Sequence, residues 1–146
     1  MDQKIGKLDY FYLLAPAWLA LELTLWPGFR AGVFSSSAAG VAAFYAMEAA
    51  IGAAFYFRSK WAVPAALLEN VVYLAAAVRF VVFTPLDIAA SAETADLAAA
   101  GASYRAALPG ILYSAFYCAF RLRRGIGSLK DQVAAIRAFL ENRYNP

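Results

Sequence analysis

Four apolar stretches dominate this sequence, and each is long enough to cross the hydrocarbon core of a bilayer. They cover about residues 10–29, 33–57, 61–83 and 102–122. A helix rises 1.5 Å per residue, so about 20 apolar residues span ~30 Å of hydrocarbon. With 63% hydrophobic and 16% charged residues among 146, the chain is more apolar than a soluble domain of this size. We therefore predict an all-α integral membrane protein whose residues 1–124 form a bundle of four transmembrane helices.

The positions of the basic residues predict that both termini lie in the cytoplasm. Ten of the 13 Lys and Arg residues fall on the side of the N-terminus, whereas Arg30, Arg79 and Arg105 fall on or near the outer side. Short cytoplasmic loops are enriched in Lys and Arg. This distribution accounts for the net charge of +3 without a nucleic acid partner. The many alanines and the lack of transit or lipidation signals favour a bacterial inner membrane.

Two segments outside the predicted spans have helical character. Residues 86–100 are rich in alanine and precede Gly101, which predicts a short helix on the outer side. Residues 125–146 form a predicted cytoplasmic tail helix that starts with a capping box at Ser128 and Asp131. Its apolar residues recur on one helical face, at Leu129, Val133, Ile136 and Leu140. Such an amphipathic helix lies on anionic lipid headgroups, or alternatively docks on a partner or a second copy.

Small residues repeat at every fourth position in two of the spans, and form a smooth ridge on each. The ridge in the second span consists of Ala42, Ala46, Ala50 and Ala54, and that in the fourth consists of Ala106, Gly110, Ser114 and Cys118. In lipid, close backbone approach and dispersion hold helices together, and small residues permit both. The ridges either pack on each other within one chain, or one of them faces another subunit. Cys118 is interpreted as a small packing residue.

Two glutamates are predicted to lie near the middle of the membrane. Glu48 is ten residues from Arg58, and Glu69 is nine residues from Lys60, which places both at similar depths, roughly 13–15 Å from the cytoplasmic edge. Ionisable groups at this depth are costly and are functional candidates. Two carboxylates held close together favour the binding of a proton or cation. The alternative is that each glutamic acid is neutral and hydrogen-bonded across helices, with Asn70, Tyr45 and Tyr73 as available partners.

A second charged pair is predicted in the outer half of the bundle, between Glu22 and Arg79. By helical rise both lie well above the cytoplasmic edge, within reach of long side chains. A structural salt bridge is the expected role, although Arg79 also has the length to reach the interface or an anionic ligand. Aromatic residues at helical spacing in the fourth span, Tyr113, Tyr117 and Phe120, are interpreted as packing residues.

The residue inventory excludes several kinds of chemistry. The chain contains no histidine and one cysteine, which excludes histidine-ligated haem, histidine-containing zinc sites, Ser–His and Cys–His nucleophile pairs, and a disulfide within the chain. Because no cofactor or metal-binding motif appears, no cofactor or metal is predicted. Any chemistry must use carboxylates, Arg, Lys, Tyr or backbone groups.

Three classes of function fit these features. The first is a small homo-oligomeric transporter or channel that moves a cation or proton through the pair Glu48 and Glu69. The second is an accessory or assembly subunit of a larger membrane complex, which would use a small-residue ridge and the tail as contacts. The third is an intramembrane enzyme that applies carboxylate acid–base chemistry to a lipid-like substrate. In each class membrane lipids are the surroundings of the chain.

Overall fold

All regular structure in the described part of the chain is helical. The computed structural model describes residues 5–90 and 96–144. Its five α-helices are α1 (Tyr10–Leu13), α2 (Ala15–Thr24), α3 (Ala38–Tyr56), α4 (Ala62–Ala90) and α5 (Asp96–Tyr144). Short 3-10 turns precede α1 and lie between α2 and α3. The prediction of an all-α protein is confirmed.

The first predicted span, residues 10–29, is interrupted and shorter than expected. It divides at Leu14 into α1 and α2, and α2 ends at Thr24. The division has a local cause, because Pro16 lacks the N–H that an uninterrupted helix would donate to the Tyr12 carbonyl. That carbonyl instead faces Gly52 of α3, where an added Cβ would come within 2.4 Å of the Tyr12 oxygen. The absence of a side chain at Gly52 therefore lets α1 and α3 pack closely.

The segment between α2 and α3, residues 25–37, turns inward and enters the bundle, and we call it the inward segment. Gly28 adopts a positive φ of 84°, which a glycine tolerates, and reverses the chain after Trp26 and Pro27. Arg30 and Ala31 then lie fully buried. The chain leaves the bundle before Ser37, whose hydroxyl caps α3 by accepting a hydrogen bond from the Gly40 N–H at 3.1 Å. Arg30, which was counted with the outer side of the predicted topology, is therefore a residue of the bundle interior.

The last two helices are longer than the predicted spans. α4 continues through Pro85 to Ala90, and α5 runs without a break from Asp96 to Tyr144. The predicted outer helix over 86–100 is therefore not a separate element, because its two ends belong to α4 and α5, while residues 91–95 lie outside the described chain. The tail is likewise a continuation of α5. Gly125 and Gly127 lower helix propensity by about 1 kcal/mol each, which does not break this helix.

The two small-residue ridges do not pack on each other. On α3, Ala42, Ala46 and Ala50 are exposed and Ala54 is half-buried, whereas on α5 the ridge faces the interior, with Ala106 half-buried and Gly110, Ser114 and Cys118 buried. Gly110 contacts α4 and the inward segment closely, since an added Cβ would lie 2.6 Å from the Tyr73 hydroxyl. Of the two expectations for the ridges, packing of one on the other within the chain is wrong.

Two helices of the described chain are long and apolar enough to cross a membrane. They are α3 and the Ala62–Phe83 part of α4, and only 39% and 28% of their most apolar windows are buried inside the molecule. The core helix of a soluble protein would be mostly buried. Large apolar side chains on α4 are instead exposed, among them Leu68, Val71, Val72 and Val78. These features favour a membrane location.

Candidate functional site

One fully buried arginine lies at the centre of the bundle. Arg30 Nε donates to Glu48 Oε1 at 2.6 Å, and Arg30 Nη2 donates to Glu69 Oε1 at 2.8 Å and to Glu69 Oε2 at 3.0 Å. The third contact of the guanidinium comes from α5, where the Ser114 hydroxyl accepts a hydrogen bond from Arg30 Nη1 at 2.9 Å. The inward segment, α3, α4 and α5 thus each contribute to one site, which we call the Glu–Arg–Glu centre, comprising Arg30, Glu48 and Glu69.

The faces of Arg30 are enclosed by aromatic rings. The guanidinium carbon lies 4.4 Å from the ring centroid of Tyr73, 5.0 Å from those of Phe11 and Tyr113, and 5.9 Å from that of Phe44. A desolvated cation over an aromatic face gains about 2 kcal/mol. The rings and the two carboxylates together compensate for removing Arg30 from water. The expected packing role of Tyr113 therefore extends to a contact with a buried charge.

Glu69 has a second set of partners on its other side. The Tyr12 hydroxyl donates to Glu69 Oε2 at 2.7 Å, and the amide of Asn70 donates in turn to the Tyr12 oxygen. The Asn70 side-chain oxygen accepts from Arg30 at 3.3 Å. Asn70, one of the partners expected for the glutamates, therefore contacts Arg30 directly and reaches Glu69 through the Tyr12 hydroxyl.

Glu22 belongs to a neighbouring cluster that holds the inward segment in place. Its carboxylate accepts the backbone N–H groups of Arg30, Ala31 and Gly32 at 3.0–3.1 Å, together with the hydroxyl of Tyr45 at 2.5 Å. Tyr45 thus bonds Glu22 and not Glu48. Arg79 is exposed on α4, and the predicted Glu22–Arg79 salt bridge is wrong. The prediction assumed a continuous helix with constant rise per residue. It therefore did not include the chain reversal that brings three backbone N–H groups to Glu22.

A third polar cluster lies between the start of α1 and α5. The Arg121 guanidinium pairs with the Asp9 carboxylate, and the Tyr117 hydroxyl donates to the same carboxylate oxygen at 3.1 Å. Asp9 is 1% exposed and Tyr117 is fully buried. Because Tyr12 packs edge-on against Tyr117 with ring centroids 6.0 Å apart, this cluster adjoins the Glu–Arg–Glu centre. Tyr117 therefore combines packing with a polar contact.

The charges of the centre do not balance. Two carboxylates surround one guanidinium, so the centre carries one excess negative charge when both glutamates are ionised. Within the described residues, Glu48 Oε2 and the Tyr73 hydroxyl are buried without a hydrogen-bond partner. Leaving such groups unpaired is costly, and an unpaired group of this kind calls for an explanation. A proton on Glu48 removes the excess charge.

The centre is not arranged as a metal-binding site. In residues 5–90 and 96–144, no group of three or more His, Cys, Asp or Glu side chains has the placement that would hold a metal ion. The guanidinium of Arg30 already occupies the space between Glu48 and Glu69. The remaining approach to the centre is on the side of Glu69 that faces the gap between α3 and α4.

A cavity between α3 and α4 opens toward that side. Its volume is about 530 Å³, and Glu69 is the one charged residue among those that line it. The other lining residues are apolar: Phe34, Phe44, Met47, Ile51, Ala65, Leu68 and Val72. We call this space the α3–α4 cavity. A second cavity of about 460 Å³ lies beside Glu22 and the turn at Gly28.

The sequence contains a signal that Arg30 is buried, although the distribution of basic residues does not show it. Arg30 is the one basic residue between Lys7 and Arg58, a stretch that also holds Glu22 and Glu48. Acidic groups at mid-membrane depth favour a basic partner. The need of Glu22 and Glu48 for a counter-charge therefore indicates Arg30. The count of Lys and Arg on the two sides of the membrane does not reveal it.

Comparison with known proteins finds no match for this chain. No protein-family model matches it. No curated protein and no solved structure matches it either. The three polar clusters and the α3–α4 cavity are therefore the features that bear on function.

Proposed function

We propose that this protein is a small four-span membrane protein that moves a proton or a monovalent cation, with Glu48 and Glu69 as the binding carboxylates. In this proposal α1 and α2 together form the first span, and α3, α4 and the first part of α5 form the others. Both termini lie in the cytoplasm, according to the distribution of Lys and Arg. Arg30 acts as a fixed counter-charge that keeps the two carboxylates at the centre of the bundle.

The observation that carries the proposal is the buried oxygen of Glu48 that has no partner. Glu48 is fully buried, and its Oε1 is held by Arg30 while Oε2 has no hydrogen-bond partner in the described chain. A carboxylate in this setting binds a proton readily, because desolvation and the neighbouring Glu69 both disfavour a second negative charge. The carboxylate can therefore be loaded and unloaded, whereas the guanidinium stays charged.

The neighbouring polar clusters supply hydrogen-bonding groups on two sides of the centre. On one side the Tyr45 hydroxyl bonds Glu22, and on the other the Tyr12 hydroxyl bonds Glu69. Hydroxyl groups both donate and accept, so they can pass a proton between oxygens. The Asp9–Tyr117–Arg121 cluster lies beyond Tyr12 near the N-terminal end of α1 and meets it through a ring contact, with the centroids of Tyr12 and Tyr117 6.0 Å apart.

Flux measurements in proteoliposomes test this proposal. The purified protein is reconstituted with an internal pH-sensitive dye, and a potassium gradient with valinomycin sets the membrane potential. We expect Glu48→Gln and Glu69→Gln each to abolish the flux, because each removes a carboxylate that loads and unloads. Arg79→Gln is the matched control, since it neutralises an exposed charge on α4. Normal flux in both glutamine variants would rule out this site as the route.

A further inference from the structure

We propose that the α3–α4 cavity binds a free lipophilic amine, an apolar molecule whose single ammonium group contacts Glu69. This inference rests on the proposed function, because it names the class of cation that Glu69 accepts in place of a proton. Three features support it: the shape of the cavity, the hydrogen bonds of the Glu69 carboxylate and the charge of the centre. Each is independent of the flux experiment.

The size and lining of the cavity define the apolar part of the ligand. A volume of about 530 Å³ lies within the usual range of small-molecule sites, roughly 300–1,000 Å³. Seven of the eight lining residues are apolar. Met47 and Phe44 lie on α3, opposite Leu68 and Val72 of α4. Such a lining favours a hydrophobic body and leaves one end for a polar contact.

Glu69 defines the polar end. A carboxylate offers about four lone-pair positions, and three are filled by two hydrogen bonds from Arg30 and one from Tyr12. Glu69 remains 7% exposed, whereas Glu48 is fully buried. The ligand must therefore donate a hydrogen bond, and it meets Glu69, not Glu48. A ligand that presents only acceptors has no partner here.

The charge of the centre selects a cation among possible donors. When Glu48 has released its proton, both glutamates are ionised and the centre carries one excess negative charge, which one ammonium group would neutralise. A charge-assisted hydrogen bond is roughly twice as strong as a neutral one. An anion would be repelled by Glu69. For the same reason a phospholipid amine is disfavoured, since its phosphate would accompany the ammonium group into the cavity.

The rim of the cavity indicates how such a molecule enters. Met47 is 45% exposed, Leu68 66% and Val72 50%, and they lie on the two helices that are able to cross a membrane. A lipophilic amine dissolves in the bilayer and reaches this opening from the lipid. The far side is closed to it, because Arg30 and its aromatic rings fill the space behind Glu69.

Binding of three matched probes tests the inference. Calorimetric titrations of the protein in nanodiscs, corrected with empty nanodiscs, would use 4-phenylbutylamine, 4-phenylbutanol and 4-phenylbutyrate near pH 7. We expect the amine to bind about tenfold or more tightly than the alcohol and the carboxylate not to bind, because only the amine is charged oppositely to Glu69. Equal binding of amine and alcohol, or binding of neither, would overturn the inference.

Two variants separate the contact with Glu69 from general partitioning. Glu69→Gln should reduce amine binding to the level of the alcohol, and Ala65→Phe should abolish both by filling the cavity. Ala75→Phe is the matched control, because Ala75 is exposed on α4 and does not line the cavity. Amine binding that persists unchanged in both Glu69→Gln and Ala65→Phe would place the ligand elsewhere and contradict the inference.

Failure of the amine-binding proposal can be distinguished from failure of the transport proposal. Amine binding that requires Glu69, in a protein that shows no ion flux in proteoliposomes, would leave the ligand site intact and end the transport proposal. Flux that requires Glu48 and Glu69, without amine binding, would support the transport proposal and overturn the amine site. Competition between the amine and flux in the wild-type protein would support both.

Discussion

Arg30 and Glu69 are separated by 39 residues, yet one nitrogen of the Arg30 guanidinium donates to both carboxylate oxygens of Glu69, at 2.8 and 3.0 Å. The contact joins the inward segment after α2 to the middle of α4. Since Arg30 also bonds Glu48 on α3 and Ser114 on α5, one side chain connects most of the bundle. Stability and function are therefore expected to depend on the same residue.

Replacement of Arg30 by methionine should destabilise the protein strongly. Removing one partner of a buried ion pair typically costs about 3–5 kcal/mol, because the other partner stays buried and unpaired. Thermal unfolding in detergent measures the loss. A triple variant, Arg30→Met with Glu48→Gln and Glu69→Gln, should recover much of it. If the triple variant is no more stable than Arg30→Met alone, the role of Arg30 lies in its packing and not in its charge.

Glu22 should be required to hold the inward segment. Its carboxylate accepts three backbone N–H groups, and Glu22→Gln replaces one accepting oxygen by a donor. We expect a loss of about 1–3 kcal/mol, the cost of a buried polar group left without its partner. Tyr45→Phe removes one donor to Glu22 and should cost less. Thermal unfolding of the two variants compares them, and a larger loss for Tyr45→Phe would contradict this assignment.

Gly52 should tolerate no side chain. An added Cβ would lie 2.4 Å from the Tyr12 carbonyl oxygen, so Gly52→Ala must separate α1 from α3 and is expected to cost about 1–3 kcal/mol. Gly101→Ala is the matched control, because a Cβ added there would meet no atom within 4 Å. In the interior of α5 it should stabilise the helix by about 0.5–1 kcal/mol. Equal effects on the unfolding temperature would contradict the close approach.

The exposed ridge of α3 should be the contact between copies if the protein is a homo-oligomer. In a Cys118→Ser background, Ala46→Cys is expected to form a disulfide-linked dimer upon oxidation in membranes, since small residues let two helices approach closely. Ala75→Cys on the exposed face of α4 is the control. Gel electrophoresis without reductant reads the result. Equal crosslinking at both positions, or none at Ala46, would argue against this interface.

Much of the helical framework follows from the sequence, because long apolar stretches have few alternatives in lipid. That Glu48 and Glu69 lie at the same level of the bundle was also predictable, since both lie within regular helices where rise per residue converts directly to distance, and both contact Arg30. The buried position of Arg30 was not predictable, because it depends on a chain reversal at Gly28 and not on a periodic pattern. The ends of α4 and α5 were missed for a similar reason. Pro85 and Gly125 often end helices, but neither ends one here.

The turn at Gly28 has a consequence for how the protein is made. Arg30 emerges from the ribosome before any side chain to which it donates a hydrogen bond, and the last of them, Ser114, follows 84 residues later. Until then the guanidinium lacks the hydrogen bond that α5 supplies, although the glutamates of α3 and α4 have already been synthesised. The order of synthesis therefore allows the bundle to close around Arg30 only after the first turns of α5 have been made.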